Sequence, residues 1–472
     1  MGYDSKLIDQ LFAGSENTDN FRNNGTASED GRQNYFGRVS YDFQSKYMLG
    51  FNFRYDGSIT FPKDSRFGFF PGISAGWRIS EEAFFGDGVV DNLKLRLSWG
   101  QLGNDRVDQF QYLGIYKYGA NSATGIGDGY VFGNEDIKGV VPDGVANPNI
   151  TWEVSNNLDI GVELGLFDGA INLEVDVFKI KTTNILGRRQ ASIPAYTGLD
   201  LPDENIGEME NQGIDLSLNY RHTFGEELYF GIGGTMTYAK NKIIYFDEAP
   251  NPEVYQNLEG TPLGSALVYQ TIGIYRTAAD LSDNVSYTNA GLGDLIFADL
   301  NGDGLINSDD RYRFDPMGDP RMQYGLNFDL SFKGFDFNIL FQGASNVKRR
   351  YSNGFSSSAG GNGFAYAAEN SYTVDNTDAI LPRIASTTLG NQNSDFWYRN
   401  AGYVRLKSME FGYTIPQALT SQVGINNLRV YVSGYNLLTF QNNNDLGYGD
   451  PEQGNGGYPP LKTVSFGVNV SF

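Results

Sequence analysis

The stretch DLNGDGLINSDD, Asp299–Asp310, has oxygen-bearing side chains at its first, third, fifth, ninth and twelfth positions and glycine at its sixth. Ca2+ prefers about six to eight oxygen ligands, and a turning loop with this spacing can supply them, the seventh position contributing its carbonyl. The expected ligands are Asp299, Asn301, Asp303, the Leu305 carbonyl, Asn307 and Asp310, with Gly304 at the sharp turn and Ile306 as apolar anchor. Asp in place of Glu at the last position shortens the arm that must ligate through two oxygens, as in dockerin loops. Pro316 and Pro320 downstream exclude a long exiting helix, so this is not a paired EF-hand. The competing reading is an Asx-rich turn held by its own hydrogen bonds. A Ca2+ staple of a loop is the expectation carried forward.

Catalytic spacings are scarcer. Gly72–Gly76, GISAG, has the spacing of a nucleophile elbow around Ser74, but an elbow needs a strand, a sharp turn and a helix. Ser74 lies inside an alternating run. The one histidine, His222, falls at the end of another. No phosphate-binding loop, zinc-protease helix or paired-cysteine motif is present. The chain is therefore not expected to be an enzyme, and an outer-membrane hydrolase built on Ser74 and His222 is the weakest alternative. Four aromatics sit near strand ends: Trp397 and Tyr398 in SDFWYRNAGY, Tyr448 and Tyr458 in GYGDPEQGNGGYPP. Aromatics there most often form membrane-interface belts. The sharper reading makes them weak ligand-binding platforms that stack on sugar rings.

The elements that position these residues alternate with period two. Tyr324, Leu326, Phe328, Leu330 and Phe332 share one face, and Gly325, Asn327, Asp329 and Ser331 the other. The same holds for Tyr47–Tyr55, Leu93–Trp99 and Ile214–Tyr220. Such alternation marks strands with one apolar and one wet face. In YVRLKSMEFGY the parity reverses between Leu406 and Met409, which predicts a β-bulge near Lys407. Runs of about ten residues, tilted near 40°, span the ~25 Å apolar band of an outer-membrane barrel. Short turns alternate with long connections at 119–148, 186–211, 247–265, 278–321 and 344–399. The predicted fold class is all-β, an antiparallel up-and-down transmembrane β-barrel of about 14–16 strands. A soluble β-sandwich is the competing architecture.

The totals narrow the function. The net charge of −21 excludes a nucleic-acid partner, which needs a basic footprint, and disfavours anionic ligands. There is no cysteine, hence no disulfide scaffold and no thiolate metal site. No apolar run is long enough for a membrane-spanning helix. The first residues, MGYDSKLIDQ, lack the apolar segment of a signal peptide.

Several longer stretches resemble the SusC/RagA-type TonB-dependent outer-membrane transporters. They are GDLIFADLNGDGLINSDDR, GDPRMQYGLNFDLSFKGFDFNILFQG, FWYRNAGYVRLKSMEFGYTIP, NLRVYVSGYNLLTF and the closing GDPEQGNGGYPPLKTVSFGVNVSF, in the family's order. NYFGRVSYDFQSKYMLGFNFRYDGSITF looks like earlier strands of the same barrel, so the likeness runs from about residue 33 onward. The resemblance implies a barrel of about 22 strands, of which residues 1–472 are the C-terminal portion, without plug domain or signal peptide. It implies import of an oligosaccharide or peptide across the outer membrane, beneath a SusD-like surface lipoprotein and driven by a TonB complex acting on the plug. It also places the 278–321 connection, with the calcium-type loop 299–310, outside the cell. The alternative is a general porin of 14–16 strands that closes on itself. The last strand, LKTVSFGVNVSF, alternates without a break to Phe472. Phe472 is expected to lie at the interface with outer-membrane lipid and to serve as an assembly signal for the barrel-assembly machinery.

Overall fold

The computed structural model describes residues 29–472 except 87, 119–128, 133–134, 139, 143, 190–200, 249–250, 252, 351–364, 385–391, 442–449 and 454–457. One antiparallel sheet organises it. Its strands are β1 Arg32–Phe43, β2 Tyr47–Ser58, β3 Phe67–Arg78, β4 Val90–Asn104, β5 Glu153–Leu166, β6 Ile171–Arg188 and β7 Asp203–Phe224. Then follow β8 Leu228–Tyr245, β9 Met322–Phe332, β10 Phe335–Ser345, β11 Tyr403–Ile415, β12 Asn427–Gln441 and β13 Thr463–Ser471. Each pairs with its neighbours in chain order, the up-and-down topology expected. Among the described residues β1 and β13 pair with no further strand, so the sheet does not close on itself as the porin alternative requires.

The connections alternate in length. Turns 44–46, 79–89, 167–170, 225–227, 333–334 and 416–426 lie at one end of the sheet. At the other end the strands are joined through the longer connections 59–66, 105–152, 189–202, 246–321, 346–402 and 442–462. The sequence placed one connection at 186–211, but β7 already begins at Asp203. Its first turns, DENIGEMENQG, are polar on both faces, so no alternation marks them as strand. The run between 265 and 278 is not a wall strand either. Ala266–Tyr269 pairs with Arg311–Phe314, and Thr271–Ile274 with Leu295–Phe297, inside the long connection. Among the described residues the large sheet accordingly has thirteen strands, and further alternating runs pair outside it.

The apolar parity is continuous across strands. Phe230 and Ile232 of β8 face Leu330 and Phe328 of β9, which face Phe337 and Ile339 of β10. Leu326 and Leu330 are 37% and 40% exposed, as a lipid-facing surface requires and a closed core between two sheets would forbid. The bulge sits where the parity broke. Leu406 pairs with Phe341 and Ser408 with Leu340, so Lys407 is extruded. On the other side Leu406 pairs with Leu438 and Ser408 with Tyr435. β12 therefore carries an extra residue there, with Asn436 at φ 52°. The second irregularity absorbs the first, so Leu438 and Phe440 keep the outward parity that Val430 and Val432 hold on β12.

The tightest hairpin joins β9 to β10. Lys333 and Gly334 take φ of 49° and 84°, the signs of a type I′ turn, whose twist matches that of the flanking strands. A Cβ on Gly334 would stand 2.7 Å from the Thr414 carbonyl oxygen. Gly334→Ala is therefore expected to destabilise the barrel by ~1–2 kcal/mol. A lower temperature for loss of heat-modifiable migration on gels would register this. An unchanged temperature would show that the turn relaxes freely.

Candidate functional site

The inward face of the sheet is polar, and two arginines organise it in the same way. Arg96 of β4 stands opposite Gly161 of β5, which stands opposite Asp176 of β6. The guanidinium reaches across the glycine to both Asp176 oxygens at 2.9 Å, and holds Glu163 at 2.9 Å. A Cβ on Gly161 would fall 2.1 Å from the Asp176 carboxylate, so the bridge exists because that position has no side chain. Arg429 of β12 reaches over Gly412 of β11 to Asp336 of β10, and takes Glu410 at 2.6 Å. Lys94 joins Glu163 at 3.1 Å. Asp215 accepts from Thr237 at 2.6 Å, and Asp329 from Asn327 at 3.0 Å. Carboxylates outnumber cations on this wall, which repels anions as the net charge foretold.

The long connections build a folded roof at the other end. Tyr269, Ile274, Leu295, Phe297 and Ile306 form one buried cluster, and Ala367, Leu381 and Trp397 a second. Connections 246–321 and 346–402 are tied by charge: Arg383 donates to both oxygens of the buried Asp294 at 2.8 and 2.7 Å. Asp395 accepts from the Thr271 amide at 2.9 Å and from the Tyr312 hydroxyl at 3.1 Å. Burial, with Asp395 beside it, pushes the Tyr312 phenol up, and burial pushes Tyr269 up to about 12. Both therefore stay protonated across the physiological range. A third tie binds the roof to the wall. Arg405 of β11, 1% exposed, donates to Thr439 at 3.0 Å, to Glu452 at 2.8 Å and to Asp450.

The calcium-type loop lies in this roof. Both oxygens of Asp299 accept from the amides of Gly302 and Gly304, at 2.7 and 2.9 Å. Asp303 accepts from the Leu305 amide at 2.8 Å. Asn301 accepts from the Asp303 amide at 3.0 Å, and Asn307 from the Asp309 amide at 2.6 Å. Asp310, fully buried, accepts from Leu300 and Asn307 at 2.9 and 2.8 Å. Every side-chain ligand expected for Ca2+ already serves the loop's own backbone, and the Leu305 carbonyl is the one backbone ligand of the set. Among the described residues no three Asp, Glu or His side chains gather as a metal-holding group. The donor set thus fits an Asx-turn staple without an ion at least as well as a metal cradle.

Other expected residues are dispersed. Ser74 is on β3, facing inward with Gly50 and Ser98; His222 is on β7, on the outward parity between Tyr220 and Phe224. They are four strands apart on opposite faces, about 19 Å at ~4.8 Å per strand, so no triad forms. Trp397 is 2% exposed inside the roof cluster and has no free face for a sugar. Tyr398 packs on Phe314 with ring centroids 4.8 Å apart. Tyr458 is 77% exposed, and Tyr448 lies outside the described residues. Phe472 falls one residue beyond β13 and is 84% exposed. The alternation already put Lys94 and Arg96 on the wet face. Their carboxylate partners come from other strands, and spacing along one strand carried no signal for them.

A one-layer antiparallel wall with an apolar outer face, a charged inner face and long loops at one end defines a transmembrane β-barrel of the outer membrane. Residues 2–437 match the family model described as TonB dependent receptor-like, beta-barrel, and the chain belongs to that family. It is 30% identical to TonB-dependent receptor P3 of Formosa agariphila over 93% of this chain and 45% of that protein. It is 28% identical to TonB-dependent receptor SusC of Bacteroides thetaiotaomicron over 100% of this chain and 45% of that one. The chain thus spans about half the length of these curated relatives. The structure of the RagAB peptide transporter superposes with a TM-score of 0.76 at 21% identity, over 99% of this chain and 51% of that one. The family's barrels lie in the outer membrane, and so does this chain. Its relatives are receptors rather than enzymes.

Arg405 gives the site its test. Arg405→Ala would leave the nearly buried Asp450 without its cation, and breaking such a buried pair costs ~3 kcal/mol or more. Glu452 is a third exposed and contributes less. Faster tryptic cleavage at Lys462 is expected, reversed in large part when Asp450→Asn and Glu452→Gln accompany the change. Equal cleavage in all forms would show that the roof is held elsewhere.

Proposed function

We propose that the receptor to which this wall belongs imports a nutrient, an oligosaccharide or a peptide, across the outer membrane, driven by a TonB complex. The carrying observation is a charged inner wall beneath a folded roof on the long-loop side. A passive porin needs no such roof, whereas a gated importer needs a surface that receives cargo and a lid. The carboxylate excess inside favours neutral or cationic cargo. The relatives support the reading: two are TonB-dependent receptors, and the RagAB structure is that of a peptide transporter. The roof is the surface on which a SusD-like lipoprotein would sit. The TonB complex would act through a plug, and the barrel-assembly machinery would recognise β13 with Phe472.

Uptake of fluorescent oligosaccharides and peptides, in cells with and without a working TonB complex, tests this. Uptake that depends on both receptor and TonB is expected. Receptor-dependent uptake that persists at full rate without TonB would mean a passive pore.

We also propose Ca2+ at Asp299, Asn301, Asp303, the Leu305 carbonyl, Asn307 and Asp310, as a staple of the roof. Its support is the spacing, together with the millimolar-range affinity typical of extracellular sites. Calorimetry on the purified receptor should give Ca2+-dependent heat that Asp303→Ala abolishes. No heat in the parent, or equal heat in both, would leave the Asx-turn staple alone.

A further inference from the structure

On the outward face, β8 is apolar from Leu228 through Phe230, Ile232, Gly234 and Met236 to Tyr238. Ten residues at ~3.3 Å each, tilted near 40°, rise about 25 Å, the full height of the hydrocarbon band. The next two outward positions are Lys240 and Lys242. On β6 the outward positions above Val177 are Lys179 and Lys181. Between these strands β7 contributes Gln212 and Glu210. Lys179 is opposite Gln212, which is opposite Lys240; Lys181 is opposite Glu210, which is opposite Lys242. Two rows of cation, central side chain and cation thus stand directly above the lipid band on the long-loop side. At this level no other described strand of the sheet shows a lysine or arginine on its outward parity.

The patch is positive despite its carboxylates. Lys179 pairs with Glu210 and Lys181 with Glu208, each at 2.9 Å, which holds two ammonium groups extended and half exposed. Lys240 and Lys242 have no ion-pair partner among the described residues and are exposed. Four cations face two carboxylates on a chain whose net charge is −21. In the row nearest the hydrocarbon the central residue is the neutral Gln212, whose amide can donate. Cross-strand neighbours lie about 5 Å apart, so one tetrahedral anion can touch an ammonium and the amide together.

We propose that Lys179, Lys181, Lys240 and Lys242 form a binding site on the outer wall for the phosphate of an outer-leaflet lipid headgroup. The occupant follows from height and side. The lysines leave the hydrocarbon where headgroups begin, face the bilayer rather than the lumen, and lie at the end bearing the extracellular connections. A cation near an anionic membrane surface is favoured by roughly fivefold in binding, and the four act on one small area. The lipid anchors one flank of the barrel, along β6–β8, and fixes its depth in the membrane.

The test uses the complete receptor in phosphatidylcholine nanodiscs doped with monophosphorylated lipid A or with its dephosphorylated form, and counts bound lipid by mass spectrometry. The parent should retain the phosphorylated lipid preferentially. The joint Lys179→Gln, Lys181→Gln, Lys240→Gln and Lys242→Gln variant should lose at least tenfold of that retention, and the joint Arg variant should keep it. Lys63→Gln, on another loop, should change nothing. Equal retention of the two lipids by the parent overturns the proposal, and needs no variant to fold. Equal retention by parent and Gln variant also overturns it. Inorganic phosphate that displaces the lipid at low millimolar concentration would assign the site to a free anion instead.

Discussion

The constraint beneath this structure is that a backbone group inside hydrocarbon has no water to bond to. Every N–H and C=O must find a partner in the protein, and an unpaired one costs several kcal/mol. A sheet one layer thick satisfies this across the bilayer and leaves each strand with a face in lipid and a face in the lumen. Period-two alternation follows directly. So does the 37–40% exposure of Leu326 and Leu330, which in a soluble protein would mark an aggregation hazard. The constraint also governs β1 and β13, whose outer edges lack partners among the described residues. Such edges are not stable in a bilayer. Each of these edges needs a partner in the bilayer, and the chain spans about half the length of the curated relatives it matches.

Within the sheet, charge is arranged by what the alternation leaves inward. Two arginines pair not only with a carboxylate on the strand beside them but also with one on the next strand over, across a glycine, at Arg96–Gly161–Asp176 and again at Arg429–Gly412–Asp336. Each bridge ties three strands, the first at mid-wall and the second close to the short-turn end. The missing side chain makes room for the guanidinium, and two oxygens fix its plane. These pairs are partly exposed to the lumen, so each contributes modestly to stability. Their larger effect is to set the polarity that a cargo or plug surface must meet.

Fold class, topology, the long and short ends and the Lys407 bulge were legible, because each is a property of one strand's own pattern. The strand count and the start of β7 were less so. Above the membrane both faces of a strand are wet, and Asp203–Glu210 alternates no more than a loop does. The site was less legible still. Trp397 looked like an interface aromatic because SDFWYRNAGY stands beside a strand end. Its burial comes from Ala367 and Leu381, brought in by the fold of the 346–402 connection. Arg383 and Asp294 are far apart in the chain and carry no common motif. Spacing did find the Asp299–Asp310 loop, but it could not separate oxygens that hold an ion from oxygens that hold their own backbone.

The same alternation explains where specificity can reside. Below the bilayer surface each wall residue is committed either to lipid or to lumen, so a strand has few positions free to vary. Above it, both faces of β6, β7 and β8 are released. There the outward side takes on lysines, while the inward side and the connections take on the buried clusters and the Arg383–Asp294 and Arg405–Asp450 ties. Roof and wall thus meet where membrane packing no longer dictates residue type. Roof and wall are joined by the buried Arg405–Asp450 charges and by an apolar cluster in which Phe70 of β3 packs with Phe61, Ile150 and Trp152 of the connections, so a change in the roof that spares these contacts can alter what enters without disturbing how the wall inserts.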